Sequence, residues 1–262
     1  GVLSLLGKHA SLKEAVMHRV GTIAQVATLR YNEAHEASGE HPRKVVVCNT
    51  HLFFHPLADH IRAIQAFALI RKLNSVCRNG LTFEYEEETI PSRKKLQSES
   101  MGHHYPLILC GDLNSDPTSG AVQLLFTRSL LPSHESCWEN LFKFYWEKTE
   151  INEEGMLSDY LQLQGSVNIP LLRIPDNFHP LFYALNSVPQ FTNFASGFQE
   201  TIDYIFASEP TPSTKWGFSL KGSAPMPDRD DIVKLIAMPN KYYASDHVSV
   251  LTTLKWIKFE ES

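Results

Sequence analysis

Four short polar clusters interrupt otherwise apolar runs of this sequence. They are Asn49-Thr50-His51, Gly111-Asp112-Leu113-Asn114, Ile202-Asp203-Tyr204 and Ser245-Asp246-His247. Each cluster is weak evidence by itself, because Gly, Asp, Asn and Ser also form ordinary turns and a histidine after a strand is more often structural than catalytic. Together they place carboxylates, an amide and imidazoles at the ends of predicted strands, where open α/β folds collect functional groups.

These side-chain types suit the hydrolysis of a phosphate ester. Asp112 can accept a proton from a water molecule, and Asn114 can donate a hydrogen bond to a phosphoryl oxygen. His51 and His247 can stabilise the negative charge of a pentacovalent transition state. The sequence therefore predicts that these four residues are catalytic.

Two further carboxylates complete the predicted site. Asp203 lies between Ile202 and Ile205 in an apolar run, and a carboxylate in such a place needs a partner. We predict that His247 is the partner of Asp203. The Asp203 carboxylate would hold the imidazole in one tautomer, as orienting carboxylates do in other hydrolases. Asp246 adds a hard oxygen ligand of the kind that Mg²⁺ prefers.

The elements that must position these residues alternate between strands and helices. Apolar and β-branched runs predict strands over residues 21–31, 44–54, 105–110, 201–208 and 245–256. Amphipathic periodicity predicts helices over residues 57–73 and 119–130. This alternation favours an α/β domain.

Two polar segments are predicted to lie outside the core. Residues 80–104 carry charges of both signs and a proline, which predicts an exposed, disordered insertion. Residues 210–231 are rich in Pro, Ser and Gly, which predicts a loop.

Composition narrows the class of protein. The 262 residues are 43% hydrophobic, which is ordinary for a globular domain, and the net charge is −5, unlike the basic surface of a protein that coats nucleic acid. A nucleic acid substrate stays possible, because a metal ion can supply local positive charge at one phosphate. The four cysteines form no CxxC pair, which favours a reducing, intracellular compartment. No apolar run is long enough for a membrane span, so no membrane partner is expected, and no obligate protein partner is evident.

The ordered motifs NTH, GDLN, IDY and SDH resemble the endonuclease/exonuclease/phosphatase superfamily from about Arg19 to Trp256. The strings NTHLFFHP and FTNFASGFQETIDYIF resemble its deadenylase branch, and MPNKYYASDHVSVLTTLKW resembles the oligoadenylate 2′-phosphodiesterases. The resemblance implies a DNase-like two-sheet α/β sandwich. It also implies an enzyme, a Mg²⁺- or Mn²⁺-dependent 3′-end exoribonuclease that hydrolyses phosphodiester bonds of oligo- or polyadenylate in the cytoplasm or mitochondria. Whether the linkage is 2′,5′ or 3′,5′ stays open.

The resemblance also implies roles for individual residues. Asp112 would be the general base or acid, and Asn114 and His51 would contact the scissile phosphate. His247 would stabilise that phosphate, and Asp203 would orient His247.

Metal and substrate contacts are implied in the same way. Asp246 would sit beside the metal, partly through water. Deadenylases hold the terminal adenine between a proline and a phenylalanine, and the matching positions are Pro56 and Phe198. Without the resemblance, a turn proline and a core aromatic would be the simpler interpretation of these two residues.

One feature departs from the family pattern. The family carries an Asn near its first strand and a metal-binding Glu, usually within a QE pair, and neither is found ahead of residues 19–30. We therefore interpret residues 1–262 as the C-terminal larger part of a single domain, with part of the first sheet missing, and expect this fragment alone to be inactive. Two alternatives stay open: a nocturnin-like phosphatase acting on a phosphorylated dinucleotide, and a non-catalytic binding module that lacks the metal Glu.

Overall fold

The computed structural model describes residues 21–30, 44–79, 104–141, 169 and 171–260. In chain order the elements are β1 (Ala24–Arg30), β2 (Lys44–His51), α1 (Asp59–Asn79), β3 (Leu107–Asp112), α2 (Gly120–Thr127), β4 (Ser129–Leu130), α3 (Glu135–Trp138), β5 (Leu172–Arg173), β6 (Leu181–Tyr183), β7 (Asn193–Ala195), β8 (Phe198–Glu200), β9 (Asp203–Ser208), β10 (Trp216–Ser223), α4 (Arg229–Val233) and β11 (Thr252–Lys258).

A five-stranded sheet with the order β1-β2-β3-β9-β6 positions the site. Strands β2 and β3 are parallel, and α1 forms part of the crossover that parallel neighbours require. Strand β9 is antiparallel to β3, so the start of β9 lies at the same sheet edge as the ends of β2 and β3. The predicted polar clusters of these three strands therefore meet at one edge.

Apolar residues cover both faces of this sheet. On one face, α1 and α2 bury side chains such as Ile64, Leu73 and Leu124 against Leu109 and Phe206 of the sheet. On the other face, β10 and β11 form a two-stranded sheet that packs on the first sheet. The order of layers is thus helices, large sheet, small sheet, which confirms the predicted two-sheet α/β fold.

Two predictions about the C-terminal part were wrong. The predicted loop 210–231 contains β10 and the start of α4, because Phe218 is buried at 5% exposure against the large sheet and β10 pairs with β11. The final strand begins at Thr252 rather than at residue 245. Residues 246–248 instead exchange backbone hydrogen bonds with Thr192 and Phe194 in the β7 region, where His247 and Asn193 form an isolated bridge.

Other predicted boundaries need smaller adjustments. Strand β2 ends at His51 rather than at residue 54, and α1 extends to Asn79. The predicted insertion 80–104 lies outside the described residues except for His104. Within the described part of the chain, no helix combines the length and apolar character that a membrane crossing needs.

Candidate active site

Asp112, the last residue of β3, is the centre of the candidate site. In the sheet register it lies between His51 of β2 and Asp203 of β9. Its Oδ2 atom is 3.4 Å from His51 Nε2 and 3.8 Å from His247 Nε2. The side chain of Asp112 is 14% exposed, whereas that of His51 is 69% exposed. The carboxylate is therefore recessed behind a solvent-facing imidazole.

Asp203 and His247 form the shortest contact of the group. The Nδ1 atom of His247 is 2.8 Å from Asp203 Oδ2, while its Nε2 atom faces Asp112. With Nδ1–H donating to Asp203, the imidazole is held in one orientation and one tautomer. This is the arrangement in which an orienting carboxylate prepares a histidine to act through its other nitrogen.

Asn114 adopts a left-handed backbone with φ of 47°, a conformation that Asn tolerates better than most residues. Its backbone N–H donates to Asp112 Oδ1 at 2.7 Å, and its side-chain Nδ2 donates to Leu52 O at 2.8 Å. The residue therefore fixes the Asp112 carboxylate and ties this loop to the segment after β2. One of its two side-chain N–H bonds is left for another acceptor.

Gly111 allows the two parallel strands to approach closely beside Asp112. Its φ is +139°, and a Cβ at this position would lie 1.8 Å from Thr50 O. Only glycine fits this position, so the GD pair of the second motif is a backbone requirement as well as a chemical one.

Asp246 lies next to His247 but faces a different partner. Its Oδ2 atom accepts a hydrogen bond from Asn193 Nδ2 at 3.2 Å, and its backbone oxygen accepts from Phe194 N at 2.9 Å. Asn193 is buried, with 4% exposure, and its Oδ1 accepts from Ala195 N at 3.3 Å. Sequence reasoning missed Asn193, although a lone amide between Phe191 and Phe194 was a signal that a buried polar partner existed.

Thr192, the residue before β7, links the segment that carries Asp203 to the segment that carries His247. Its Oγ1 accepts from Ile202 N at 2.9 Å and from Asp203 N at 3.0 Å. Its backbone oxygen accepts from Val248 N at 2.7 Å, directly after His247. Because Thr192 is fully buried, it sets the spacing between the backbones that carry Asp203 and His247.

Three of these side chains could hold a metal ion. Within the described residues, Asp112, Asp203 and His247 form one group whose ligand atoms all lie within 4.8 Å of one another. Two carboxylates and an imidazole fit a divalent cation, but Mg²⁺ prefers six oxygen ligands, so most of its shell would have to come from water or substrate. Asp246 is not a member of this group.

Burial and charge shift the two central pKa values. Burial raises the pKa of the Asp112 carboxyl, and the charge of Asp203 raises it further, against the Asn114 hydrogen bond and the two histidines. Burial lowers the pKa of His247, but the hydrogen bond and charge of Asp203, with Asp112 and Asp246, outweigh it and give a net increase. A less acidic carboxyl accepts protons more readily, and a more basic imidazole holds its positive charge.

The two predicted substrate contacts come from other elements of the chain. Pro56 is exposed in the segment between β2 and α1, and Phe198, at the start of β8, is 45% exposed. An exposed aromatic ring has a free face that a base could stack on.

The sequence resembles curated nucleases over most of its length. It is 24% identical over 258 residues to 2',5'-phosphodiesterase 12 of Bos taurus, covering 97% of this chain and 32% of the relative. It is 22% identical over 239 residues to the CCR4-Not complex 3'-5'-exoribonuclease subunit Ccr4 of Mycosarcoma maydis, covering 91% and 31%. The chain thus spans about a third of the length of these relatives.

A solved structure and a family model agree with the fold. ANGEL2, described as a 2',3'-cyclic phosphatase in complex with adenosine-2',3'-vanadate, superposes with a TM-score of 0.52 at 17% identity, covering 92% of this chain and 68% of ANGEL2. The model of the Endonuclease/Exonuclease/phosphatase family matches residues 43–247, which include every residue of the candidate site. The chain therefore belongs to the endonuclease/exonuclease/phosphatase family.

Proposed function

We propose that this chain carries the catalytic site of a metal-dependent 3′-end exoribonuclease that hydrolyses phosphodiester bonds of oligo- or polyadenylate. The observation that carries the proposal is the contact series from Asp203 through His247 to Asp112 at one edge of the large sheet. The names of the relatives, a 2',5'-phosphodiesterase and a 3'-5'-exoribonuclease, support the reaction class and the substrate class.

Asp112 serves as the proton acceptor in this proposal. Its raised pKa improves it as a base. Asn114 N donates to Oδ1, and Oδ2, which faces His51 and His247, would take the proton from the attacking water. The second N–H of the Asn114 side chain is placed to donate to a phosphoryl oxygen. Proton removal makes the water a stronger nucleophile toward phosphorus.

His247 stabilises the charge that develops on the phosphate. Asp203 favours the protonated imidazole, whose Nε2–H then points toward the site and can donate to a non-bridging oxygen. His51, exposed beside Asp112, can donate to the same phosphate. The two imidazoles thus offset charge on a phosphate group that binds between them.

The carboxylates of Asp112 and Asp203, with the nearby Asp246 partly through water, would hold Mg²⁺ or Mn²⁺ at this edge, while the protonated His247 has no lone pair for a metal and stays a phosphate contact. The ion would polarise a phosphoryl oxygen as a Lewis acid. Phe198 and Pro56 would contact the terminal adenine, the ring by stacking on its face.

We further propose that residues 1–262 belong to a single domain of this type and that no obligate protein partner is required. All four cysteines are free, which fits a reducing compartment, so we propose an intracellular location in the cytoplasm or mitochondria.

The test uses the full-length protein with 2′,5′- and 3′,5′-linked triadenylate, assayed for AMP and for inorganic phosphate. We expect AMP release that needs Mg²⁺ or Mn²⁺ and stops with a chelator. Asp112→Asn and His247→Gln should each lower kcat by about 10²-fold or more, the usual scale for removing a general base or charge stabiliser. Asp176→Asn, a change at an 82% exposed acid, is the matched control.

Two results would contradict the proposal. Release of inorganic phosphate from a phosphorylated dinucleotide, without AMP from either triadenylate, would indicate a phosphatase instead. Binding of triadenylate without turnover under any metal would indicate a non-catalytic binding module.

A further inference from the structure

The first turn of α1 holds a buried ion pair that the proposed mechanism does not use. Arg62 and Asp59 have side chains only 5% and 10% exposed, and Arg62 Nη2 is 3.8 Å from Asp59 Oδ1. Burial lowers the pKa of Arg62 and raises that of Asp59. A buried guanidinium is costly unless its donors are used, so the partners of Arg62 indicate what it does.

Those partners belong to two separate loops. Arg62 Nη1 donates to His55 O at 2.6 Å, in the segment 52–58 between β2 and α1. Arg62 Nε donates to Ser115 Oγ at 3.0 Å, in the segment 113–119 between β3 and α2. The planar guanidinium of Arg62 therefore links the two loops by hydrogen bonds.

Each loop carries a different part of the proposed site. The segment 52–58 contains Pro56, proposed to contact the base, and the segment 113–119 contains Asn114, proposed to contact the phosphate. The second segment is anchored independently, because Tyr204 Oη donates to Ser115 O at 2.8 Å. The hydrogen bonds of Arg62 thus hold the segment 52–58 in position relative to the segment 113–119, which is fixed by Tyr204.

We propose that Arg62 is a positioning residue that sets the distance between the base-contacting and the phosphate-contacting loops. The proposal rests on the function proposed above. The guanidinium fork has donors in fixed directions, and a lysine ammonium is a single point that cannot reach both His55 O and Ser115 Oγ in the same way. Arg62→Lys keeps the charge beside Asp59 and removes the fork.

Substrate choice supplies one readout. An oligoadenylate uses both loops, whereas bis(4-nitrophenyl) phosphate is a phosphodiester without an adenine base. For Arg62→Lys we expect kcat/KM to fall about tenfold or more on the oligoadenylate and by less than about threefold on the small ester, since displacement by 1 Å can cost about 10²-fold. Arg71→Lys, at an exposed position of the same helix, should change neither value.

Hydrogen exchange supplies a readout that needs no activity. In Arg62→Lys, amides of 52–58 should exchange faster while those of β3 keep their protection. Ser115→Ala removes one of the two acceptors and should produce part of the same change. Both substitutions break the same hydrogen bond between Arg62 and Ser115. The double variant should therefore show amide exchange in 52–58 no faster than that of Arg62→Lys alone.

The possible results separate the two proposals. Unchanged exchange in 52–58, or equal losses on both substrates that follow a fall in stability, would overturn the positioning role. Faster exchange in 52–58 with a parent protein inactive on both substrates would support the loop link and refute the nuclease function.

Discussion

The hydroxyl group of Thr192 offers the sharpest test of how the site is held together. It accepts hydrogen bonds from the backbone N–H groups of Ile202 and Asp203. The backbone oxygen of Thr192 accepts a hydrogen bond from Val248 N. Thr192→Val keeps the shape and the backbone bonds of this residue but removes the hydroxyl acceptor. The change therefore acts on the start of β9 without adding bulk.

The expected cost follows from the two donors that lose their acceptor. A buried N–H without a partner costs about 1–3 kcal/mol, so Thr192→Val, which removes the acceptor of two N–H groups, should lower the free energy of unfolding by about 2–6 kcal/mol. Thr192→Ser keeps the acceptor and loses one buried methyl group, which costs about 1 kcal/mol. The serine variant is thus the matched control, because it separates the hydrogen bonds from the packing.

Activity should separate the two variants more strongly than stability does. If Asp203 shifts, the Asp203–His247 contact lengthens, and kcat should fall at least about tenfold in the valine variant, since small displacements of catalytic groups are costly. KM should change little, because the hydroxyl bonds to the backbone of Ile202 and Asp203, whereas the base contact is assigned to Phe198 and Pro56. Urea unfolding and steady-state kinetics on triadenylate measure both quantities.

The reasoning is wrong if the valine variant matches the parent in stability and kcat. It is also wrong if the serine variant loses as much kcat as the valine variant, because the hydroxyl would then not be the group that positions Asp203.

Three further changes test other parts of the structure. Gly111→Ala should lower the free energy of unfolding by about 3 kcal/mol or more in urea titrations, because the added Cβ would collide with Thr50 O, whereas Gly222→Ala meets open space and should stay within about 0.5 kcal/mol. Phe198→Ala should lower kcat/KM on oligoadenylate by about 5- to 100-fold, the value of one stacked base, and should lower it less on oligouridylate. Burial holds the pKa of His179 at about 4, below its ordinary 6.5, so the unfolded state binds more protons between these values and stability should fall as pH drops through this window. His179 accounts for about 3 kcal/mol of this loss, so the fall in stability should be smaller by about that amount in His179→Asn, in which His60, also buried with its pKa lowered to about 4, still titrates. Urea unfolding of both proteins at pH 7, 5.5 and 4.5 measures the difference.

Each of these has a clear contrary result. A Gly111→Ala variant as stable as the parent would refute the close strand approach. Equal losses on the two oligonucleotides would place Phe198 outside the base contact. Parallel pH curves for the parent and His179→Asn would show that this imidazole titrates normally.

Much of the sheet and its polar edge could be predicted because local patterns carried the information. Continuous apolar runs predicted β2 and β3. The polar residues at the end of each run lie at the same edge of the sheet because the two strands are parallel. The helical period in α1 was equally clear, since a helix packed on a sheet needs a broad apolar face.

The remaining features depend on contacts that the sequence does not display. Strand β10 was hidden by its Ser, Gly and Lys content, and only its pairing with β11 makes Phe218 a core residue. Asn193 and Thr192 were missed because their partners lie in other segments: Asn193 donates to Asp246, and the Thr192 hydroxyl accepts from Ile202 and Asp203. Side-chain hydrogen bonds to distant backbone atoms leave no periodic signal.

The register that places His51, Asp112 and Asp203 side by side has a consequence for how the protein folds. These residues come from strands that are widely separated along the chain, and pairing β2 with β3 requires closing the long connection that contains α1. Domains dominated by such non-local pairing fold slowly compared with helical ones. Helix α1 can form early from local contacts, so the helical signal in a refolding experiment should recover before any catalytic activity does. The candidate site is then among the last parts of the molecule to form, and a partly folded chain that has regained its helical signal should still lack activity.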